Sequence, residues 1–256
     1  PASSGDALAA RWIALGSTTG WVGSTTSMVE LPDGRLVVGG TGLTKAAGTA
    51  VAGLAVRDPR TGAWQALANL KTSNGRVASV YALAVDASRK LLYVAGNFSS
   101  VTRGNRRIAA VGIAQLNLKT GLWSKVGTGL TGKGISIRTL SLDAASGNLL
   151  VGGRFTRAGG VASANIATWS PARKRWLALG TGLKSDVVTA ALAGDGTVYA
   201  AGRFVDGLVS TWNPTTKVWS TIGDARLFSD LPTSMVVDSL GHPLIGRGIG
   251  WYGEAI

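Results

Sequence analysis

The sequence predicts an all-β protein, namely a five-bladed β-propeller with four antiparallel strands in each blade. Two unrelated markers recur five times along the 256 residues, and such repetition is stronger evidence for a fold than local propensity. One marker is a pair of small residues that ends a β-like run, and the other is a tryptophan followed by a short apolar stretch. The pairs are Gly39-Gly40, Ala95-Gly96, Gly152-Gly153, Ala201-Gly202 and Ile245-Gly246, and the tryptophans are Trp12, Trp64, Trp123, Trp176 and Trp219.

Each repeat divides into four short strands. The second residues of successive pairs lie 56, 57, 49 and 44 positions apart. The tryptophans recur with a similar period, near fifty residues. The strands of the third repeat are IRTLSLDAAS, LLVGGRFT, NIATWS and RWLALG, and turn signals such as SGN separate them. We predict one propeller domain over residues 1–256, with blades at about 26–70, 76–128, 136–181, 186–223 and 231–256, the last completed by 10–16.

The two ends of the chain predict how the ring closes. The fifth repeat stops at WYGEAI after its third strand, whereas the chain begins with ARWIALG, a fourth strand without the other three. Trp169 and Trp176 are seven residues apart, and the same spacing from Trp251 falls two residues beyond Ile256. We expect Trp12 to fill that place, so that the N-terminal strand closes the last blade. Closure removes open sheet edges, and the chain is expected to be complete as a domain.

The repeats resemble those of kelch-type propellers, the class of the galactose-oxidase central domain. In that class a Gly doublet ends the second strand, and two aromatics seven apart mark the third and fourth, as at Trp212 and Trp219. Arg57 and Leu116 replace the first aromatic in two repeats. The phrase GGRFTRAGGVASANIATW also resembles repeats of bacterial and fungal cell-surface propellers, including the cortical polarity-marker type. That resemblance implies an extracellular or envelope setting.

The composition leaves few groups for catalysis or metal binding. The chain has no Cys and one histidine, His242, which excludes thiolate chemistry and a copper site of the galactose-oxidase type. Most aspartates stand in turn motifs, such as Asp33 in LPDG, Asp58 in RDPRTG and Asp195 in AGDG. There we expect each side chain to cap its own turn. We therefore predict no catalytic residues, no metal, no cofactor and no enzyme activity.

Trp21 is the tryptophan that fits neither marker. The regularly placed tryptophans are expected to form the core between blades. Trp21 instead lies in GSTTGWVGSTT, which reads as a loop. It is the best single candidate for an exposed aromatic that contacts a ligand.

The positive charge is concentrated in one part of the chain. The net charge is +13, and residues 87–185 hold 15 basic residues against one acidic residue, Asp143. We call residues 87–185 the basic sector, which corresponds to predicted blades two and three. Its densest runs, predicted to lie in loops that leave opposite faces, are Arg103, Arg106 and Arg107, and Arg173, Lys174 and Arg175. A field of this kind attracts polyanions and raises association rates.

These observations favour a secreted, non-catalytic scaffold or adhesion module at the cell surface. Its basic sector is expected to dock an anionic polysaccharide or an acidic protein subunit. Nucleic acid is a weaker candidate, because no aromatic-laced basic groove or known binding motif occurs. No apolar run is long enough to span a bilayer, so the protein is expected to be soluble. A five-bladed lectin and a glycan-cleaving enzyme with paired carboxylates are the alternatives, and the sequence does not indicate an oligomeric state.

Overall fold

The computed structural model describes residues 19–204, 207–222 and 232–247. Every regular element within these ranges is a β-strand, and the strands of each main sheet pair antiparallel. The all-β, antiparallel prediction is therefore confirmed. The same ranges contain no helix that is long and apolar enough to cross a membrane.

The main sheets follow one another along the chain, and within each sheet the principal strands pair in sequence order. In the described part of the chain, four sheets have four principal strands each, and a further sheet has two. The first contains β1 (Val22–Glu30), β2 (Leu36–Ala46), β4 (Gly53–Arg57) and β5 (Trp64–Lys71), with β3 (Thr49–Ala50) pairing β2. The second contains β6 (Val80–Asp86), β7 (Leu91–Gly96), β10 (Ile113–Asn117) and β11 (Trp123–Lys125).

The third and fourth sheets repeat this arrangement, and the fifth begins it. The third contains β13 (Ser136–Leu142), β14 (Leu149–Arg154), β17 (Ile166–Ser170) and β18 (Arg175–Ala178). The fourth contains β19 (Val187–Leu192), β20 (Val198–Phe204), β21 (Gly207–Asn213) and β22 (Val218–Thr221), and the fifth contains β23 (Pro232–Val237) and β24 (Pro243–Arg247). The predicted closing strand at 10–16 and the end of the last predicted blade lie outside the described residues.

The hydrophobic core lies between neighbouring sheets. The first strands contact one another in succession, from β1 through β6, β13 and β19 to β23. Leu54 of the first sheet shares a cluster with Val80 of the second, and Leu150 of the third shares one with Val187 of the fourth. The second and third sheets are thus packed against a neighbour on each side, which explains why their second strands are apolar runs without alternation.

The small-residue pairs stand where neighbouring strands come closest. A Cβ on Gly39 would overlap the side chain of Val80 in the next sheet, and one on Gly152 would overlap Val187. The second residue of the pair faces its own first strand instead, since a Cβ on Gly96 would overlap the carbonyl oxygen of Ser79. The small residues of the marker are therefore required because the second strand is closely packed against its neighbours.

Two short hairpins join neighbouring sheets through main-chain hydrogen bonds, and the sequence did not predict them. The hairpin of β8 (Ser100–Arg103) and β9 (Arg106–Ala109) leaves the second sheet after β7 and pairs with β5 of the first. The hairpin of β15 (Arg157–Ala158) and β16 (Val161–Ala162) leaves the third sheet and pairs with β12 (Leu130–Thr131), which follows β11. The β8–β9 hairpin covers part of the outer edge of the first sheet, where an unpaired edge would invite aggregation.

Candidate anion-binding surface

The first basic run stands at the tip of the β8–β9 hairpin. Arg103 pairs with Arg106 across the turn, and the side chains of Arg103, Arg106 and Arg107 are exposed. The Nη1 of Arg103 donates to the carbonyl of Gly121 at 3.2 Å. No acidic side chain of the described residues pairs with any of the three.

The second basic run occupies the turn between β17 and β18. Lys174 has a φ of 51°, in the left-handed region that a tight turn requires, and Arg175 begins β18 opposite Ser170. Arg173, Lys174 and Arg175 are exposed. Because successive strands run antiparallel, a connection after the second strand and one after the third leave opposite ends of a sheet. The structure therefore does not bring the two runs together.

A cavity gathers three other cations of the basic sector. It has a volume of about 610 Å³, and Asp186 is the single acidic residue among those that line it. The lining residues are Arg138, Arg154, Lys184, Ser185, Asp186, Val188, Pro232 and Thr233. These residues come from the third, fourth and fifth sheets, so the cavity lies where the first strands of successive sheets converge.

Each first strand carries a β-bulge in the region where these strands converge. The register of each first strand shifts around at least one residue, which lies near the beginning of the strand in the second to fifth sheets. A bulge of this kind redirects the side chain that it carries. The bulged residues are Thr26, Tyr81, Arg138, Val188 and Thr233. Three of them line the cavity, and Arg138 is the charged member of the set.

Two contacts fix the arginines of the cavity. The guanidinium carbon of Arg138 stands 5.5 Å from the centre of the Tyr81 ring, within the range of a cation–π contact. Arg154 donates from Nε to Asp186 Oδ2 at 2.7 Å, and its Nη2 lies 2.6 Å from the same oxygen. This hydrogen bond with the carboxylate raises the pKa of Arg154 above its ordinary value. The three cations against one carboxylate leave the cavity with a net positive charge.

Sequence analysis missed Arg138, Arg154 and Lys184 as a group because they do not form a run. A signal was present at Arg138, which interrupts the apolar spacing of IRTLSL in a predicted innermost strand. A bulge at that position could not be inferred from one strand considered alone.

Trp21 is not an exposed aromatic, and this expectation is corrected. Its side chain is half-buried and meets the ring of Trp64 edge-on, with ring centroids 5.0 Å apart and planes at 81°. The third sheet places Trp169 opposite Trp176, whereas the first places Arg57 opposite Trp64. Trp21 supplies Trp64 with an aromatic neighbour in the first sheet.

The aspartates act mainly as turn caps in the described residues. Asp33, Asp58 and Asp195 each accept from a main-chain N–H two residues later, as predicted for these three. Asp86 is buried and accepts from Ser88 Oγ at 2.6 Å. In the described ranges no group of three or more His, Asp or Glu residues could hold a metal ion.

Comparisons with known proteins support a β-propeller. Residues 113–237 match the family model of the Rax2 C-terminal beta propeller domain. The extracellular domain of a hybrid two-component system from B. thetaiotaomicron is 13% identical with a TM-score of 0.55, over 88% of this chain and 25% of that one. The structure of U3-55K is 12% identical with a TM-score of 0.49, over 77% of this chain and 51% of that one.

The family model and the structure with a TM-score of 0.55 support the propeller fold but do not indicate an activity. The chain spans about half of one solved structure and a quarter of the other. A search of curated proteins gave no significant match. Because 771 solved chains match the structure, the fold is too widely shared to single out a function. The protein is an all-β propeller, and its function has to be argued from its own surfaces.

Proposed function

We propose that this β-propeller is a non-catalytic scaffold or adhesion module at the cell surface, and that its basic sector docks an anionic polysaccharide. The observation that carries the proposal is the large number of free cations. Fourteen of the fifteen basic side chains in the sector are exposed. Salt bridges of the described residues engage two of the fifteen, Arg89 and Arg154.

The positive charges stand at several separate places, as the docking of a long polymer would require. Cations stand at both ends of the sheets, at the β8–β9 tip and at the β17–β18 turn, and three more line the cavity where the first strands begin. A polysaccharide can contact all three places, and the released counterions favour binding at low salt. A compact acidic protein would instead need one contiguous acidic face to reach the same groups.

The positions of the carboxylates support a non-catalytic role. Glycosidases hold two carboxyl groups about 5 to 10 Å apart across the scissile bond. The cavity is lined by one carboxylate, Asp186, which Arg154 engages. Asp143 and Asp195 line another groove together, but each accepts a main-chain hydrogen bond within its own turn. The extracellular setting rests on the resemblance of the repeats to those of cell-surface propellers.

We further propose five blades of the kelch type, closed by the N-terminal strand. The register supports the kelch relationship, because Trp169 lies directly opposite Trp176. Closure is supported by a repeated main-chain contact. Gly159 N donates to Gly129 O, which follows the outer strand of the preceding sheet, and Gly48 N donates to Gly20 O in the same way. Gly20 thus has the same main-chain contact as Gly129, which follows an outer strand, and this supports the proposal that residues 10–16 form the closing strand.

The test is a glycan array that includes sulfated, carboxylated and neutral polysaccharides, read at low and high salt. We expect retention on the charged polymers that falls steeply as salt rises, and no retention on neutral dextran. Polyglutamate is included as a probe that represents an acidic protein partner. Stoichiometric binding to polyglutamate without binding to any polysaccharide would indicate that the basic sector binds an acidic protein partner instead. Retention no stronger than that of a neutral propeller would refute the docking function.

A lectin is the second candidate, because grooves recur at matching places between sheets. One groove of about 730 Å³ lies between the turns of the third and fourth sheets, and one of about 340 Å³ lies between those of the first and second. Both grooves combine aspartate, basic and apolar side chains. The first has Asp143, Arg173 and Leu177, and the second has Asp33, Lys119 and Leu118. Binding of a neutral glycan on the array, independent of salt, would favour the lectin.

A further inference from the structure

The cavity at the first-strand bulges has the properties of a specific site within the basic sector. Arg138 and Lys184 are exposed, and neither forms a salt bridge within the described ranges. The basic runs stand on a hairpin tip and a turn, whereas these two cations line a concave surface. Concave sites with a few convergent polar groups are where proteins bind small ligands.

The two arginines of the cavity are held in place before any ligand arrives. The Tyr81 ring lies under the guanidinium of Arg138, and Asp186 engages Nε and Nη2 of Arg154. The N–H groups of Arg154 Nη1 remain available to donate to a ligand, because no acceptor within the described residues bonds to them. Side chains that are already ordered lose less conformational entropy on binding.

The wall of the cavity combines charge with apolar surface. Val188 and Pro232 contribute apolar surface to the lining, and Arg138 and Lys184 contribute positive charge. A guanidinium fork matches the two oxygens of a carboxylate or sulfate, while the apolar wall suits the carbon face of a sugar ring. The volume of about 610 Å³ exceeds what a single inorganic ion would fill and lies within the range of small-ligand sites.

We propose that this cavity binds one carboxylate or sulfate group together with the saccharide unit that carries it. The inference rests on the proposed function, because it assigns the specific subsite for the same anionic polymer. Arg138 and Lys184 contact the anionic group, and Arg154, positioned by Asp186, adds its free Nη1. The exposed basic runs supply long-range attraction, which raises the association rate more than it selects a ligand.

The test compares two double variants of equal charge. Arg138→Gln with Lys184→Gln removes two cations from the cavity, and Lys125→Gln with Arg157→Gln removes two exposed cations of the sector that lie outside both the cavity and the basic runs. The probes are glucuronate, glucose and inorganic sulfate, titrated by calorimetry. We expect glucuronate affinity to fall about tenfold or more in the cavity variant and less than about twofold in the control. Equal losses in both variants would overturn the inference.

A third variant changes the space without changing the charge. Thr233→Trp places a large ring at the exposed Thr233 on the cavity wall, and we expect it to weaken glucuronate binding while polymer retention by the basic runs persists. Sulfate and glucuronate of equal affinity would show a site for free oxyanions and overturn the saccharide assignment. If wild-type protein binds the polymer but the cavity variant binds it as tightly as the control, the inference fails while the docking function stands. If no charged polymer binds, the docking function itself fails.

Discussion

The indole nitrogen of Trp176 in β18 donates a hydrogen bond to the carbonyl oxygen of Val126, 3.3 Å away and just beyond the outer strand of the preceding sheet. Trp219 makes the equivalent bond to Leu179 at 2.8 Å. In both cases the acceptor stands three residues after the outer-strand tryptophan of the preceding sheet. These bonds join neighbouring sheets at their outer edges.

The Trp64 indole is buried, and among the described residues it has no acceptor. The same three-residue rule, counted from Trp12, identifies Leu15 as the residue whose carbonyl would accept its N–H. A buried donor without a partner costs roughly 1–3 kcal/mol. The Trp123 indole is also buried without an acceptor in the described ranges, although β5 precedes its sheet, so this bond does not recur in every sheet.

Closure predicts that an engineered disulfide will form between the ends of the chain. Ser170 lies opposite Arg175 in the third sheet, and the equivalent pair in the last blade would be Tyr252 and Arg11. We expect Arg11→Cys with Tyr252→Cys to form an intramolecular disulfide that raises the melting temperature until it is reduced. Arg11→Cys with Thr233→Cys is the control, because Thr233 lies on an innermost strand. Equal cross-linking of both pairs, or of neither, would contradict closure.

The second residue of the small pair should tolerate no side chain. Gly96→Ala would place a Cβ against the carbonyl oxygen of Ser79, and overpacking of this kind typically costs about 1–3 kcal/mol. Gly194→Ala is the matched control, because no atom lies within 4 Å of the added Cβ. Urea denaturation should show a lower midpoint for Gly96→Ala and little change for Gly194→Ala. If Gly96→Ala leaves the urea midpoint unchanged, close packing is not the reason why a small residue stands at this position.

Asp86 should stabilise the fold only in its charged form. Burial raises its pKa, but the hydrogen bonds from Ser88 and Arg89 together outweigh burial, and the pKa lies below 3.8. A carboxyl group with a lowered folded-state pKa stabilises the protein above its unfolded pKa of about 3.9, and this stabilisation is lost as pH falls through the folded-state pKa. Arg89 also donates to the carbonyl of Ser146 in the next sheet at 2.9 Å.

Asp86→Asn should therefore lower the free energy of unfolding at pH 7 by about 1–3 kcal/mol, and the loss should shrink in strong acid. Chemical denaturation at pH 7 and about pH 3 measures both effects. The exposed Asp195, exchanged for Asn, is the control and should give a smaller change. An Asp86→Asn loss that is the same at both pH values would contradict the role of the charge.

The basic runs should control how strongly binding depends on salt. Arg103, Arg106 and Arg107 exchanged for Ser should weaken polysaccharide binding, and the log–log salt slope should fall by roughly one for each lost contact. The equivalent exchange of Arg173, Lys174 and Arg175 tests the opposite end of the sheets. Lys45, Arg60 and Arg76 are exposed cations outside the sector, and their exchange for Ser is the control. Equal weakening in the control would mean that only net charge matters.

The sequence by itself determined the strands and their close contacts within a repeat. Trp169 and Trp176 stand opposite each other because a short turn fixes their register, so a spacing of seven residues was sufficient. The caps of Asp33, Asp58 and Asp195 are equally local. Interactions of this kind depend on a few neighbouring residues, and their chemistry can be inferred from a short stretch of sequence.

Only the tertiary structure decided what meets between repeats. Trp21 packs on Trp64 more than forty positions away, and the β8–β9 hairpin pairs with the preceding sheet. The cavity brings Arg138 and Thr233 together from sheets that are not adjacent in sequence. Those contacts depend on the bulges and on how the sheets pack, and a bulge arises from the pairing of two strands. The sequence of one strand therefore does not specify them.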